Sequence, residues 1–173
     1  NIGEGDAVPA TDEFLSNAQK AWYPDAPMEN VKNFSVENVP EYALNDMNAN
    51  NAAGATYTTS IKGIYTGNSS VYFHPIRAFE SAKRLFFVMG HEFIHVSQYC
   101  YLAGIESLKL NPNFNDLIEY HGYNYECALG SGNSGGFTQV DAINLSKLFS
   151  TYFNDFNYTN FSWTKTAKFI YPF

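Results

Sequence analysis

The stretch from Phe79 to Leu102 constrains this 173-residue chain more than any other, because it is helical by spacing and apolar almost all round. Leu85, Phe86, Val88, Met89, Phe93, Ile94, Val96 and Tyr99 leave no continuous polar stripe, and Gly104 is a natural stop. At 100° per residue, Phe86, Met89, Phe93, Val96 and Cys100 share one face, with His91 and His95 opposite. A helix of this kind is buried inside a domain, so its two histidines are predicted to be buried with it.

Those histidines frame His91-Glu92-Phe93-Ile94-His95. Imidazoles at i and i+4 stand one turn apart and can reach a single Zn²⁺ at about 2.0–2.1 Å. Glu92 projects to one flank, placed to take a proton from a hydrolytic water instead of ligating. By composition alone the triplet would arise in a chain of this size well under ~1% of the time, so coincidence is a poor account of it. The bland alternative is a pair of core histidines satisfied by backbone partners. A catalytic zinc needs a third protein ligand. Gln98 and Tyr101 stand where a metzincin would have Gly and His, which removes that class. The remaining candidates are Glu119, Glu126 and His121, all on a following predicted helix. Glu119 is favoured because Asp116-Leu117-Ile118 carries that helix into the core just before it. Glu126, seven residues on, shares nearly the same face and then becomes a supporting partner or a surface carboxylate.

The rest of the chain predicts one α+β domain spanning 1–173, with a small twisted sheet packed on the metal helix and further helices around it. A first helix covers Thr11 to Trp22, stopped by Pro24. Phe34 to Val39 alternates as a strand ending at Pro40, and Asn45 to Asn51 reads as loop. Ala55 to Ile64 and Ser70 to His74 form a hairpin about Thr66-Gly67-Asn68-Ser69. After the loop Asn111-Pro112-Asn113, helices are expected over Asn115 to Leu129 and Gln139 to Phe153, separated by a mobile glycine-rich loop, 130–136. The aromatic tail, Phe161 to Phe173, is a last strand or a docked extended segment.

Net charge of −7 with no basic stripe argues against nucleic acid as the partner. No stretch approaches the ~20 apolar residues of a membrane span. The start Asn1-Ile2-Gly3-Glu4, with neither Met nor an apolar leader, reads as an excised or processed piece of a longer polypeptide. Cys100 and Cys127 are expected as free buried thiols, with a single interhelical disulfide as the alternative. Sequons at Asn33, Asn68, Asn144, Asn157 and Asn160 reflect Asn abundance.

The segment Ser81 to Gln98, with Glu119-Tyr120-His121-Gly122-Tyr123 downstream, resembles gluzincin-like metallopeptidase domains. It is most similar to those found as C-terminal effector modules of bacterial polymorphic toxins, including Rhs-type proteins. The resemblance covers about Val71 to Leu129; the His-Glu-x-x-His element is specific and the downstream element only suggestive. It implies a strand alongside the substrate, then the metal helix, then a helix giving the third ligand. It also implies Zn²⁺ on His91, His95 and Glu119, with Glu92 as general base. One departure stands out: gluzincins often carry an Asp four residues after the ligand Glu to orient a histidine, and Tyr123 occupies that place. Support for the ligands must then come from elsewhere. Tyr123, His121, Tyr120 and His74 are candidates to stabilise an oxyanion beside the metal, although His74 reads better as a half-exposed strand residue before Pro75. Gln98 shares the metal face. The resemblance thus implies a zinc endopeptidase, secreted or delivered as a bacterial effector, acting on a protein or peptide and opposed by a cognate immunity protein. Rival readings are a zinc-binding interaction module without turnover, a metal-free interaction domain, and an amidase acting on cell-wall peptide.

Overall fold

A computed structural model describes residues 3–106, 112–148 and 155–173. Within them the chain is α+β, with five helices and a three-stranded mixed sheet. Helix α1 (Asp12–Trp22) starts where the Thr11 hydroxyl accepts from the Phe14 amide, and it buries Leu15, Ala18 and Trp22. Strand β1 (Val31–Ser35) is earlier and shorter than the expected 34–39. The reason is Asp12: its carboxylate accepts from the Ser35 hydroxyl and the Val36 and Glu37 amides, turning the chain out of the sheet.

The expected loop over 45–51 is mostly helix. Helix α2 (Glu41–Ala49) begins after Pro40, so that proline opens a helix, and Ala43 and Met47 are buried one turn apart. Strands β2 (Gly54–Ile61) and β3 (Ile64–Phe73) form the expected hairpin with a different turn. The reversal lies at Lys62-Gly63, where φ is positive at both residues (52° and 79°), as a two-residue hairpin turn requires. Thr66 to Ser69 runs inside β3 instead. Strand order is β1-β3-β2, with β1 parallel and β2 antiparallel to β3, so β2 is an edge.

Alternation along these strands explains the layering. Val71 and Phe73 join the main core with helix α3 (Ala82–Tyr101), while Tyr72, Ala55 and Tyr57 pack on Ala43 and Met47 of α2. Helix α3 begins as expected, its Ser81 hydroxyl accepting from the Arg84 amide, and every residue from Val88 to Gln98 is buried. Helix α4 (Pro112–Ala128) packs on α3 and starts at the proline expected in the preceding loop, since Pro suits a first helical turn. Helix α5 (Gln139–Leu148) matches the start of the expected third helix, whose last five residues lie outside those described.

The tail is docked, with short 3₁₀ turns at Tyr158–Asn160 and Ser162–Lys165 and no strand. Trp22 donates its indole N–H to the Ile170 carbonyl, and the Lys168 amide donates to the Trp22 carbonyl. Both cysteines are free, but Cys127 is exposed, donating to the Asn133 carbonyl, and Cys100 is only partly buried. Among the described residues, no helix is long and apolar enough to cross a membrane.

Candidate metal centre

Helix α3 carries His91 and His95 on the face turned toward α4, and α4 brings Glu119 over them. The Glu119 carboxylate spans both rings: Oε2 lies 3.3 Å from His91 Nε2, and Oε1 lies 3.1 Å from His95 Nε2. These three residues offer one donor atom each within 4.8 Å of one another. Two chemistries suit such separations. Charge-assisted hydrogen bonds would favour about 2.7–2.9 Å, shorter than either contact. Ligands on a tetrahedral zinc at 2.0–2.1 Å lie about 3.3 Å apart, which is close to both. The donor set therefore fits a metal ion at least as well as it fits a bare ion pair.

The far sides of the two rings differ. His95 Nδ1 is 2.9 Å from Gln98 Oε1, and the Gln98 amide nitrogen donates to the Ile118 carbonyl at 3.2 Å. That second bond fixes which end of the amide faces His95, so Nδ1–H donates to Gln98 Oε1 and Nε2 is the nitrogen turned toward Glu119. Burial alone would push His95 down, but the Glu119 charge and hydrogen bond overcome it and raise the value to about 9. Glu119 moves the opposite way: burial would raise it, but the two histidines hold it well below the ordinary carboxylate range. A proton thus sits where the donors converge. His91 Nδ1 faces Glu126 Oε1 at 3.7 Å, beyond hydrogen-bond reach. Among the described residues neither that nitrogen nor Glu126 Oε2 has a hydrogen-bond partner, and both are buried. Glu126 is accordingly raised by burial, partly countered by His91 and Arg84.

Glu92, 5% exposed, stands beside the donor set and accepts from the Thr56 hydroxyl at 2.6 Å. The cleft here has a volume of about 420 Å³. Its walls include Asp46, Tyr57, Arg84, Tyr99, Tyr123 and Asn133 besides the residues already named on β2, α3 and α4. Tyr123 packs its ring against His91 at 4.6 Å, and burial with the nearby carboxylates raises its hydroxyl, which stays protonated as a donor.

The other expected donors lie elsewhere. His121, two residues past Glu119, points some 200° away around α4. It is buried with its ring 5.1 Å from Tyr120 and 6.4 Å from Phe156, and burial lowers it to about 4. It is neither among the residues lining this cleft nor one of the three clustered donors among the described residues. Tyr120 packs toward Phe137 at 5.9 Å and is likewise absent from the lining. His74 is buried, not half-exposed; its Nδ1 accepts from the Ile76 and Arg77 amides and its Nε2 meets Asn48, so it ties a turn. Sequence reasoning did not find Thr56, Gly54 or Tyr99, because nothing local marks a strand residue as lying opposite Glu92.

Compared with family models, with curated proteins and with solved structures, the chain matches none.

Proposed function

We propose that the chain is a zinc-dependent metallopeptidase of the zincin type, with His91, His95 and Glu119 holding the metal and Glu92 as general base. The observation that carries this reading is the convergence of three donors beside a fourth, separately held carboxylate. A structural zinc has no use for such a base and usually fills all four positions with Cys and His. Zinc bound there would supply Lewis acidity, polarising the scissile carbonyl and lowering the pKa of a bound water toward ~7. Glu92 accepts the water's proton and delivers it to the leaving amine. Tyr123, protonated and at the cleft wall, donates toward the developing oxyanion. Strand β2 is an edge of the sheet among the described residues and borders the cleft, where an extended peptide can add as a further strand. By its resemblance to toxin effector modules, the chain is proposed to act after secretion or delivery, on a protein substrate and against a cognate immunity protein.

The test is elemental analysis with a casein hydrolysis assay: one zinc per chain, activity removed by a chelator and restored by zinc. Casein left intact by zinc-loaded protein that does cut muropeptides would move the assignment to a cell-wall amidase.

Two further outcomes are expected. Because His95 is protonated in the metal-free protein at neutral pH, zinc must expel that proton on binding. Zinc affinity should rise by about tenfold per pH unit from pH 7 until the pH passes about 9. The ion pair's own contribution to metal-free stability runs the other way: fully present below the ordinary histidine value of 6.5, it is lost as pH rises through about 9. Zinc titrations and thermal melts across that range check both, and a pH-independent affinity would contradict the first. Glu126→Gln should weaken zinc binding by roughly 10–100-fold, because the carboxylate facing His91 Nδ1 is the group placed to orient that ring. Unchanged affinity would make Glu126 a bystander.

A further inference from the structure

We propose that Thr56 and Gly54, on the inward face of β2, set the orientation of the Glu92 carboxylate, Thr56 by donating to one oxygen and Gly54 by leaving room for the other. The inference rests on the proposed role of Glu92 as base. A carboxylate that takes a proton from water must present one oxygen with a free lone pair, held at a fixed angle. The Thr56 hydroxyl lies 2.6 Å from Glu92 Oε2 and 3.4 Å from the Glu92 carbonyl, so its single proton goes to the carboxylate. Oε1 is left as the accepting oxygen.

Gly54 stands against that second oxygen. A Cβ at position 54 would lie 2.8 Å from Oε1, 2.9 Å from Glu92 Cγ and 2.9 Å from Val88 Cγ1, closer than real Cβ atoms approach. A side chain there would force Glu92 or Val88 to shift. Residues 54 and 56 reach Glu92 together because alternate positions of a strand share a face. Ala55 and Tyr57, between and beyond them, pack toward α2. The strand that borders the cleft is therefore also the strand that aims the base. Thr56 is thus a positioning residue, acting through Glu92 and touching no reacting atom.

The experiment compares zinc-loaded parent, Thr56→Val, Thr56→Ser, Gly54→Ala and Glu92→Gln by crystallography and by hydrolysis of casein. Thr56→Val keeps the β-branched shape and removes the donor. It should retain zinc, lower kcat at least ~10-fold with KM within about twofold, and show the Glu92 carboxylate turned or split between two orientations. Thr56→Ser should recover activity to within about threefold and restore the single orientation. Gly54→Ala should keep zinc with the carboxylate displaced. The proposal is overturned if the carboxylate stays put in Thr56→Val and Gly54→Ala, or if Val and Ser depress kcat equally, which would mark a packing effect. Carboxylate orientation decides the matter even if casein is a poor substrate. Should Glu92→Gln cut as fast as the parent, the role of Glu92 as base fails instead. An inactive Glu92→Gln beside a fully active Thr56→Val removes the positioning role alone.

Discussion

Glu92→Gln is expected to keep its zinc and to lose turnover by at least ~100-fold. The substitution keeps shape and removes the charge and the proton affinity together. Gln has the same length and volume, and its amide oxygen can still accept from Thr56, so the buried side chain keeps its hydrogen bond. What disappears is an oxygen able to take a proton from water and return it to the amine. General base catalysis is worth about 10²–10⁴-fold, and of the other carboxylates on the cleft Glu119 and Glu126 face the histidine rings, so neither is placed to take over. Glu92 does not reach across both rings as Glu119 does, so metal content should match the parent by elemental analysis. Rapid casein hydrolysis by a zinc-loaded Glu92→Gln protein would remove Glu92 from the mechanism.

Gly122→Ala is expected to cost at least ~10-fold in zinc affinity while the metal-free protein stays folded. Helices α3 and α4 approach so closely at this point that a Cβ on residue 122 would lie 2.8 Å from both Cε1 and Nε2 of His91. The ring is already flanked by Tyr123, with Glu126 beyond it, and has little space to retreat. Two effects of the added methyl oppose one another. Ala favours the helix over Gly by about 0.8–1 kcal/mol. Overpacking a filled contact costs about 1–3 kcal/mol, relieved either by turning His91 or by lifting α4. The fold therefore loses little, but either movement separates Glu119 from a ligand partner that it now meets at 3.3 Å. A competition titration against a chromophoric chelator reads the loss directly. Parent-like affinity would show that the close approach of α4 is irrelevant to the donor set.

Much of this arrangement was legible in the residues. Helix α3 was, because apolar side chains on nearly every face admit few other environments, and the one-turn spacing of His91 and His95 is independent of tertiary detail. That Glu119 meets the two histidines was legible because a residue on the next helix needs only the correct face to reach them. The strand and loop readings fared worse, for reasons that lie outside local sequence. Asp12 ends β1 from 23 residues away. Helix α2 is rich in Asn, a poor helix former, and is held by burial of Ala43 and Met47 against β2 and β3. The hairpin turn fell at Lys62-Gly63 because strand pairing set the register, while Thr-Gly-Asn-Ser offered the more familiar turn chemistry. His121 lies close to Glu119 in sequence, yet two residues on a helix point to nearly opposite sides, so nearness along the chain does not bring it to the donors. Thr56 was invisible, since its meaning comes from what lies across from it.

The three donor residues are not equally sheltered. The side chains of His91 and His95 are 8% and 6% exposed, whereas that of Glu119 is 45% exposed. Solvent therefore touches the group mostly at the carboxylate, with both imidazoles largely sheathed. On the proposed metal-binding reading, an ion would meet that carboxylate on α4 before either imidazole. The same asymmetry leaves a small chelator one half-open handle to grasp, and predicts extraction at a rate set by swinging a single side chain.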